Sequence, residues 1–281
     1  MLQIITDSAS DITLAQAREM NVHIVPLNIQ FPDGPYHQQT EEDIARFYQR
    51  LEQSEELPIT SQPSPEAYLA LFEQAKEAGD EVLVLTLSSG LSGTINAANI
   101  ARNMCEYDSI YILDSEQAIA AQRMMVDYAV KLRAQGMRAT EIVTELESFR
   151  SRVCVSGVID TLTYLRKGGR IPPSLAIVGN ALRVKPVIVL EDKIIKTVGK
   201  ALGREAGKKM LYQRFEKFTM DPEFPIYFVY TSDRKMGEEF MAQTIEKYGW
   251  QDHPTALTPI GGVIGTHLGT SAVGFCFVKK A

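Results

Sequence analysis

"EVLVLTLSSGLSGTINA", residues 81–97, sets a run of apolar residues directly before three serines and two glycines. A strand hydrophobic on both faces suits the middle of a covered sheet, and the polar segment after it suits the hand-over to a helix. The same unit recurs along the first half of the chain. "LQIITDS" (2–8), "SIYILDS" (109–115) and "VCVSGVID" (153–160) read as further buried strands. Between them lie helical patterns at 13–20, 40–52, 64–78, 93–103, 121–135 and 139–151. Thr13 and Ser64 stand at helix starts, and Pro65 suits a first turn. "HIVPLNIQF" (23–31) reads as one more strand, demoted to an edge or irregular position by Pro26. Strands alternating with amphipathic helices predict a parallel α/β/α sheet, with its sites beyond the carboxyl ends of the strands. The polar clusters "TDSAS", "SSGLSG" and "LDSEQ" stand there.

After about residue 160 the rhythm changes. "YLRKGGRIPP" (164–173) reads as a loop and "SLAIVGNAL" (174–182) as a short apolar helix. "KPVIVLEDKIIKTVGKA" (185–201) reads as a hairpin turning at Glu191-Asp192. Helices at 204–218 and 235–248 flank the strand "PIYFVYTS", and "TALTPI" is another strand. The stretch "GGVIGTHLGTSAVGFCFVKK" (261–280) is glycine-rich and then strand-like. The expected fold is therefore two α/β domains, with a parallel sheet over 1–160 and a mixed sheet over 161–281.

Bulk composition narrows the function. Hydrophobic residues make up 45% and charged residues 23% of 281 positions, as in a globular protein. A net charge of −6 gives no reason to expect nucleic acid, or more than transient contact with an anionic membrane. Cys105, Cys154 and Cys276 are too scattered for a disulfide framework, and His23, His37, His253 and His267 lack ligand-like spacing, so neither metal nor cofactor is expected. The start "MLQIITDSAS" lacks the pattern of a signal peptide, and a cytoplasmic location is expected.

Three chemistries compete for the hydroxyl-rich turn at 88–94. A nucleophile elbow needs Gly-x-Ser-x-Gly, but here Gly93 comes one position early. A serine hydrolase using Ser92 and His267, perhaps with Asp7, is still conceivable because triad partners need not be close in sequence. A phosphate loop lacks its lysine. A carboxylate fits the residue types: Ser92 beside free helix-start amides, Thr60 and Ser61 before another helix, and His267 between glycines. The same serines also suit a plain helix cap, and a non-lipid regulatory binding module stays open beside the hydrolase.

Taken together, several motifs resemble the DegV family of fatty acid-binding proteins. They are "ITDSASDI" (5–12), "TSQPSPEAY" (60–68), "LSSGLSGTINAA" (87–98), "LDS" (113–115), "LRKGGRI" (165–171), "KPV" (185–187) and "IGTHLGTSA" (264–272). The resemblance implies a two-domain α/β protein that binds one long-chain fatty acid in an apolar tunnel. It further implies a carrier rather than an enzyme: a subunit that presents the carboxylate to a separate ATP-binding fatty acid kinase subunit, giving an acyl-phosphate for phospholipid synthesis. On the matching positions, Thr60, Ser92 and His267 would hold the carboxylate, while Arg170 and Arg204 would meet the partner. Two departures bear on the tunnel. Thr270-Ser271 stands where the family has Pro-Gly, and "AIAAQRMM" (118–125) replaces a glycine-containing turn.

Overall fold

The computed structural model describes residues 1–172 and 183–281. In chain order the first part comprises β1 (Leu2–Asp7), α1 (Leu14–Met20), β2 (Val22–Val25), β3 (Asn28–Phe31), β4 (Gly34–Tyr36), α2 (Glu41–Gln53), β5 (Ile59–Ser61), α3 (Pro65–Ala78), β6 (Glu81–Thr86), α4 (Thr94–Cys105), β7 (Ile110–Asp114), α5 (Ile119–Ala134) and α6 (Ala139–Arg150). Then follow β8 (Val153–Val158), α7 (Thr163–Lys167), β9 (Val184–Glu191), β10 (Ile194–Leu202), α8 (Arg204–Phe215), β11 (Ile226–Tyr230), α9 (Arg234–Tyr248), β12 (Thr255–Pro259), α10 (Gly262–Leu268) and β13 (Val273–Val278).

The fold is α/β, with a parallel sheet ordered β2-β1-β6-β7 and a mixed sheet ordered β10-β9-β8-β13-β11-β12. Val82 to Leu85 are fully buried, as the uninterrupted apolar run requires of a central strand. α3 and α4 cover one face of the parallel sheet through Tyr68, Phe72, Ala97 and Ala101. α5 packs against strands of both sheets, so one core runs from Leu83 and Leu85 through Met125 and Ala129 to Val229 and Cys276. α8 and α9 cover the far face of the mixed sheet with Leu211, Phe215 and Phe240.

Several local expectations are corrected. Strand 153–160 belongs to the mixed sheet, antiparallel to both β9 and β13. An apolar run buried on both faces carries no mark of its neighbours' direction. Residues 23–31 form two strands: β2 joins the parallel sheet, and β3 pairs antiparallel with β4 and β5 in a separate three-stranded sheet. Pro26, which cannot donate to a ladder, stands at the break. Ser64 occupies the N-cap position of α3 without a side-chain cap bond, whereas Thr13 forms a full capping box with Gln16. Residues 163–167 are helical, as are 262–268 in the glycine-rich stretch. The glycines of α10 meet packing needs, since a Cβ at Gly262 or Gly265 would overlap Phe47 or Tyr48. The helix expected at 174–182 lies outside the described residues.

The β9–β10 hairpin turns at Asp192-Lys193, one residue later than expected, with Ile194 opposite Glu191. Both turn residues have positive φ, 51° and 71°, as a two-residue hairpin loop of the favoured hand requires. Its tip crosses to the parallel sheet. Ser88 Oγ donates to the Lys193 carbonyl at 2.8 Å, and Lys193 Nζ lies 3.0 Å from the Asp114 carboxylate. Gly90 permits the approach, because any Cβ there would overlap the Lys193 backbone. Replacing Gly90 with Ala is expected to destabilise the fold by about 1–3 kcal/mol through overpacking. Denaturant unfolding measures this, and an unchanged midpoint would show that the hairpin tip does not bear on the turn.

Candidate functional site

Three chain segments converge beside the clasped hairpin. β5 is a three-residue strand paired with β3, and it carries Thr60 opposite Ile29. The turn after β6 ends in Ser92, with Gly93 at the N-cap of α4. α10 carries His267 in its last turn. Thr60, Ser92 and His267 all line one cavity of about 900 Å³, counting its open mouth. Its walls are otherwise largely apolar: Val155, Ile188, Leu190 and Val229 come from the mixed sheet, Leu87 from the turn after β6 and Leu268 from α10.

The polar end of the cavity is ordered by specific contacts. Thr60 Oγ1 and His267 Nε2 are 2.9 Å apart, and the Ser92 and Thr94 hydroxyls share a bond of 2.9 Å. The His267 imidazole is buried, 8% exposed, and its Nδ1 has no hydrogen-bond partner among the described residues. Gly168 lies flat against that ring, since a Cβ at Gly168 would overlap Nδ1. Burial, and secondarily the Arg170 guanidinium, lowers the His267 pKa to about 4. The ring is therefore neutral at pH 7. It combines one N–H donor with one acceptor nitrogen, beside two hydroxyls that donate or accept.

Arg170 is the one cationic residue among the described cavity-lining residues. It is half-buried, and its Nε and Nη1 donate to the Leu91 and Gly168 carbonyls at 3.1 and 2.6 Å. Sequence reasoning expects Arg170 at a docking surface; the structure also places it in the cavity wall. Gln62 was missed. It lines the same cavity, and a Cβ on Gly93 would overlap its amide oxygen. Its signal was its position inside "TSQPS". Arg204 lies elsewhere, at the start of α8, where it donates to Asp160 at 3.1 Å and contacts the Met236 sulfur.

A hydrolytic relay is not assembled. Ser92 pairs with Thr94 and His267 pairs with Thr60. Asp7 is fully buried at the end of β1, where it accepts from the Leu87 and Ala9 N–H groups at 2.6 and 3.0 Å and from Gln122 at 3.2 Å. Burial pushes its carboxyl up to about 6 against those bonds. Asp7 fastens strand ends and does not orient an imidazole. No helix among the described residues is long and apolar enough to cross a membrane.

An apolar cavity between the mixed sheet and the turn after β6, lined also by hydroxyls, an imidazole and one guanidinium, has the make-up of a binding site for an amphiphilic ligand. Comparisons with known proteins agree with that class. The family model described as an uncharacterised protein of the DegV family matches residues 1–280. A DegV domain-containing protein of Clostridium perfringens is 32% identical over 282 residues, spanning 97% of this chain and 96% of its own. The crystal structure of DegV, a fatty acid binding protein from Bacillus subtilis, is 28% identical, with a TM-score of 0.85 and 99% of each chain covered. A fatty acid binding DegV family protein from Streptococcus agalactiae is 28% identical, with a TM-score of 0.86 over 100% of this chain and 99% of its own. The chain belongs to the DegV family.

The depressed His267 pKa has a stability consequence. The unfolded ring takes up a proton near pH 6.5, but the folded ring does so only near 4. Its stabilising contribution is therefore complete above pH 6.5 and is lost as the pH falls from there towards 4, by on the order of 3 kcal/mol. In denaturant unfolding, His267→Gln is expected to remove that part of the acid sensitivity. Parallel pH profiles for the two proteins would contradict the assigned protonation state.

Proposed function

We propose that the cavity holds one long-chain fatty acid, with its carboxylate at Thr60, Ser92 and His267. The observation that carries this reading is that those three side chains line one otherwise largely apolar cavity, with Thr60 and His267 in hydrogen-bond contact. At about 0.8 kcal/mol per buried methylene, a chain of roughly sixteen carbons contributes on the order of 10 kcal/mol before ordering costs. The head group behaves oppositely, because a carboxylate stripped of water without partners is prohibitively costly. The Thr60 and Ser92 hydroxyls, the His267 N–H and the nearby Arg170 charge replace that water. The tunnel thus supplies affinity and the polar end supplies orientation. The relatives described as fatty acid binding support the same reading.

The finer proposal is that the chain acts as a carrier: it makes no bond itself and presents the carboxylate to a separate ATP-binding kinase subunit that forms the acyl-phosphate. The family resemblance supports this, and so does the fact that Gly168, packed against the His267 ring, directly follows Arg166 and Lys167, which are exposed on α7. Arg170 and Arg204 are proposed contacts for that subunit. The ligand is proposed to lie between two domains, with the boundary expected at 160 falling instead before β8, because that strand belongs to the mixed sheet.

Organic extraction of the purified protein followed by mass spectrometry is expected to yield about one fatty acid per chain. The Thr60→Val, Ser92→Ala double variant is expected to retain it at least tenfold less tightly, because two hydrogen bonds to a charged group are lost. Wild-type and double-variant proteins that both fail to take up added palmitate or oleate would refute the reading. Arg204→Ala is expected to leave bound lipid at the wild-type level while lowering acyl-phosphate formation with a cognate kinase; loss of lipid instead would assign Arg204 a purely structural role.

A further inference from the structure

The junction at which the segment after β7 enters α5 contains a backbone conformation that its sequence does not favour. Ile119 has φ +51°, in the left-handed region, where a β-branched side chain is a genuine outlier. The other non-glycine residues with positive φ among the described residues are Asp11, Asn21, Glu106, Glu116, Asp192 and Lys193, all polar. Such a residue persists only where its surroundings over-determine it.

The surroundings do so from both sides. Before Ile119, Ser115 Oγ donates to the Thr86 carbonyl at 2.7 Å and the Ser88 N–H donates to the Gln117 carbonyl at 2.9 Å. After it, Gln122 Nε2 donates to Thr6 Oγ1 at 3.0 Å and to Asp7 at 3.2 Å. The segment is thereby tied to the ends of β1 and β6, and Ile119 takes the conformation that these anchors leave it. Glycine would occupy that position without strain. An isoleucine there adds apolar bulk, and the bulk meets the cavity: of residues 115–122, only Ala118 and Ile119 line it. Ile119 is 6% exposed, and its neighbours Ala118, Ala120 and Ala121 are small.

We propose that Ile119 determines which acyl chains the cavity accepts, its branched side chain occupying volume that a longer or kinked tail would need. The inference rests on the fatty acid reading and goes beyond it by naming the residue that sets tail preference. Ile119→Gly removes Cγ1, Cγ2 and Cδ1 together with the Cβ, and it suits the left-handed backbone. Each additional tail methylene that finds apolar surroundings is worth about fourfold in relative affinity.

The test loads wild-type, Ile119→Gly and Ile119→Val proteins with an equimolar mixture of palmitate, stearate and oleate, followed by repurification, extraction and quantitation of the retained acids. The ratio of eighteen-carbon acids to palmitate is expected to rise about tenfold in Ile119→Gly, and by up to about fourfold in Ile119→Val, each relative to wild type. A general loosening of the fold would lower total retention without moving that ratio. A loaded Ile119→Gly protein with the wild-type ratio overturns this inference alone. If that variant does not fold, Ile119→Val decides by the same criterion. A wild-type protein that retains none of the three acids overturns the fatty acid reading, and this inference with it.

Discussion

The fastening of Lys193 to the turn after β6 is the contact on which the cavity depends. The hairpin that carries Lys193 supplies Ile188, Leu190 and Ile195 to the cavity wall, yet its strands belong to the other sheet. Its tip reaches the parallel sheet through one backbone carbonyl, one ammonium group and the missing side chain of Gly90. This divides the three serines of the turn among different tasks. The Ser88 hydroxyl is spent on Lys193, and the Ser89 amide donates to Asp114 at 3.1 Å. Only Ser92 has its hydroxyl at the cavity, held meanwhile by Thr94. The density of hydroxyls there serves inter-sheet closure as much as ligand recognition.

The helix bearing His267 depends on equally distant partners. α10 has seven residues and no side-chain cap at its start, too short to hold itself by backbone bonds alone. Three side chains from the first part of the chain hold the segment just before and at its start. Tyr48 donates to the Ile260 carbonyl at 2.8 Å, while Asp11 and Gln38 accept from the Gly261 and Gly262 N–H groups at 2.9 and 2.6 Å. Burial pushes the Asp11 carboxyl up to about 8, against the opposing pull of the Gly261 bond and Arg123. It is then largely uncharged at neutral pH, so it anchors the segment without setting a full negative charge beneath the His267 helix. A neutral imidazole leaves Arg170 as the charge among the described residues that line the cavity.

What the sequence disclosed follows from which signals are local. The parallel sheet was legible because apolar runs such as 81–86 alternate with helical spacing, and both properties belong to single segments. The place of β8 was not, since its direction relative to β9 and β13 is fixed by partners far along the chain. β4 and β5 span three residues each, too few for periodicity to register. α10 was hidden by glycines, whose presence records contact with Phe47 and Tyr48 rather than a loop. Thr60, Ser92 and His267 stand out by residue type, family resemblance assigns them to a carboxylate, and all three line one cavity. Arg170 entered the wall unforeseen because a lysine- and arginine-rich loop looks solvent-facing until the carbonyls it caps are known.

The proposed division between tail and head group accounts for a site that combines strain with weak polar partners. A strong grip on the carboxylate, such as a bidentate arginine pair, would add affinity and also bury the group whose accessibility a carrier requires. In the proposed carrier, hydroxyls and a neutral imidazole would satisfy the carboxylate without such a grip, so retention would come from the tail. Retention by the tail in turn makes wall shape the means of discrimination, and a wall can discriminate only if its side chains cannot retreat. At the β7–α5 segment that rigidity is visible in the backbone: an isoleucine held in the left-handed region by bonds to two neighbouring strands has no relaxed conformation to fall back to without breaking them.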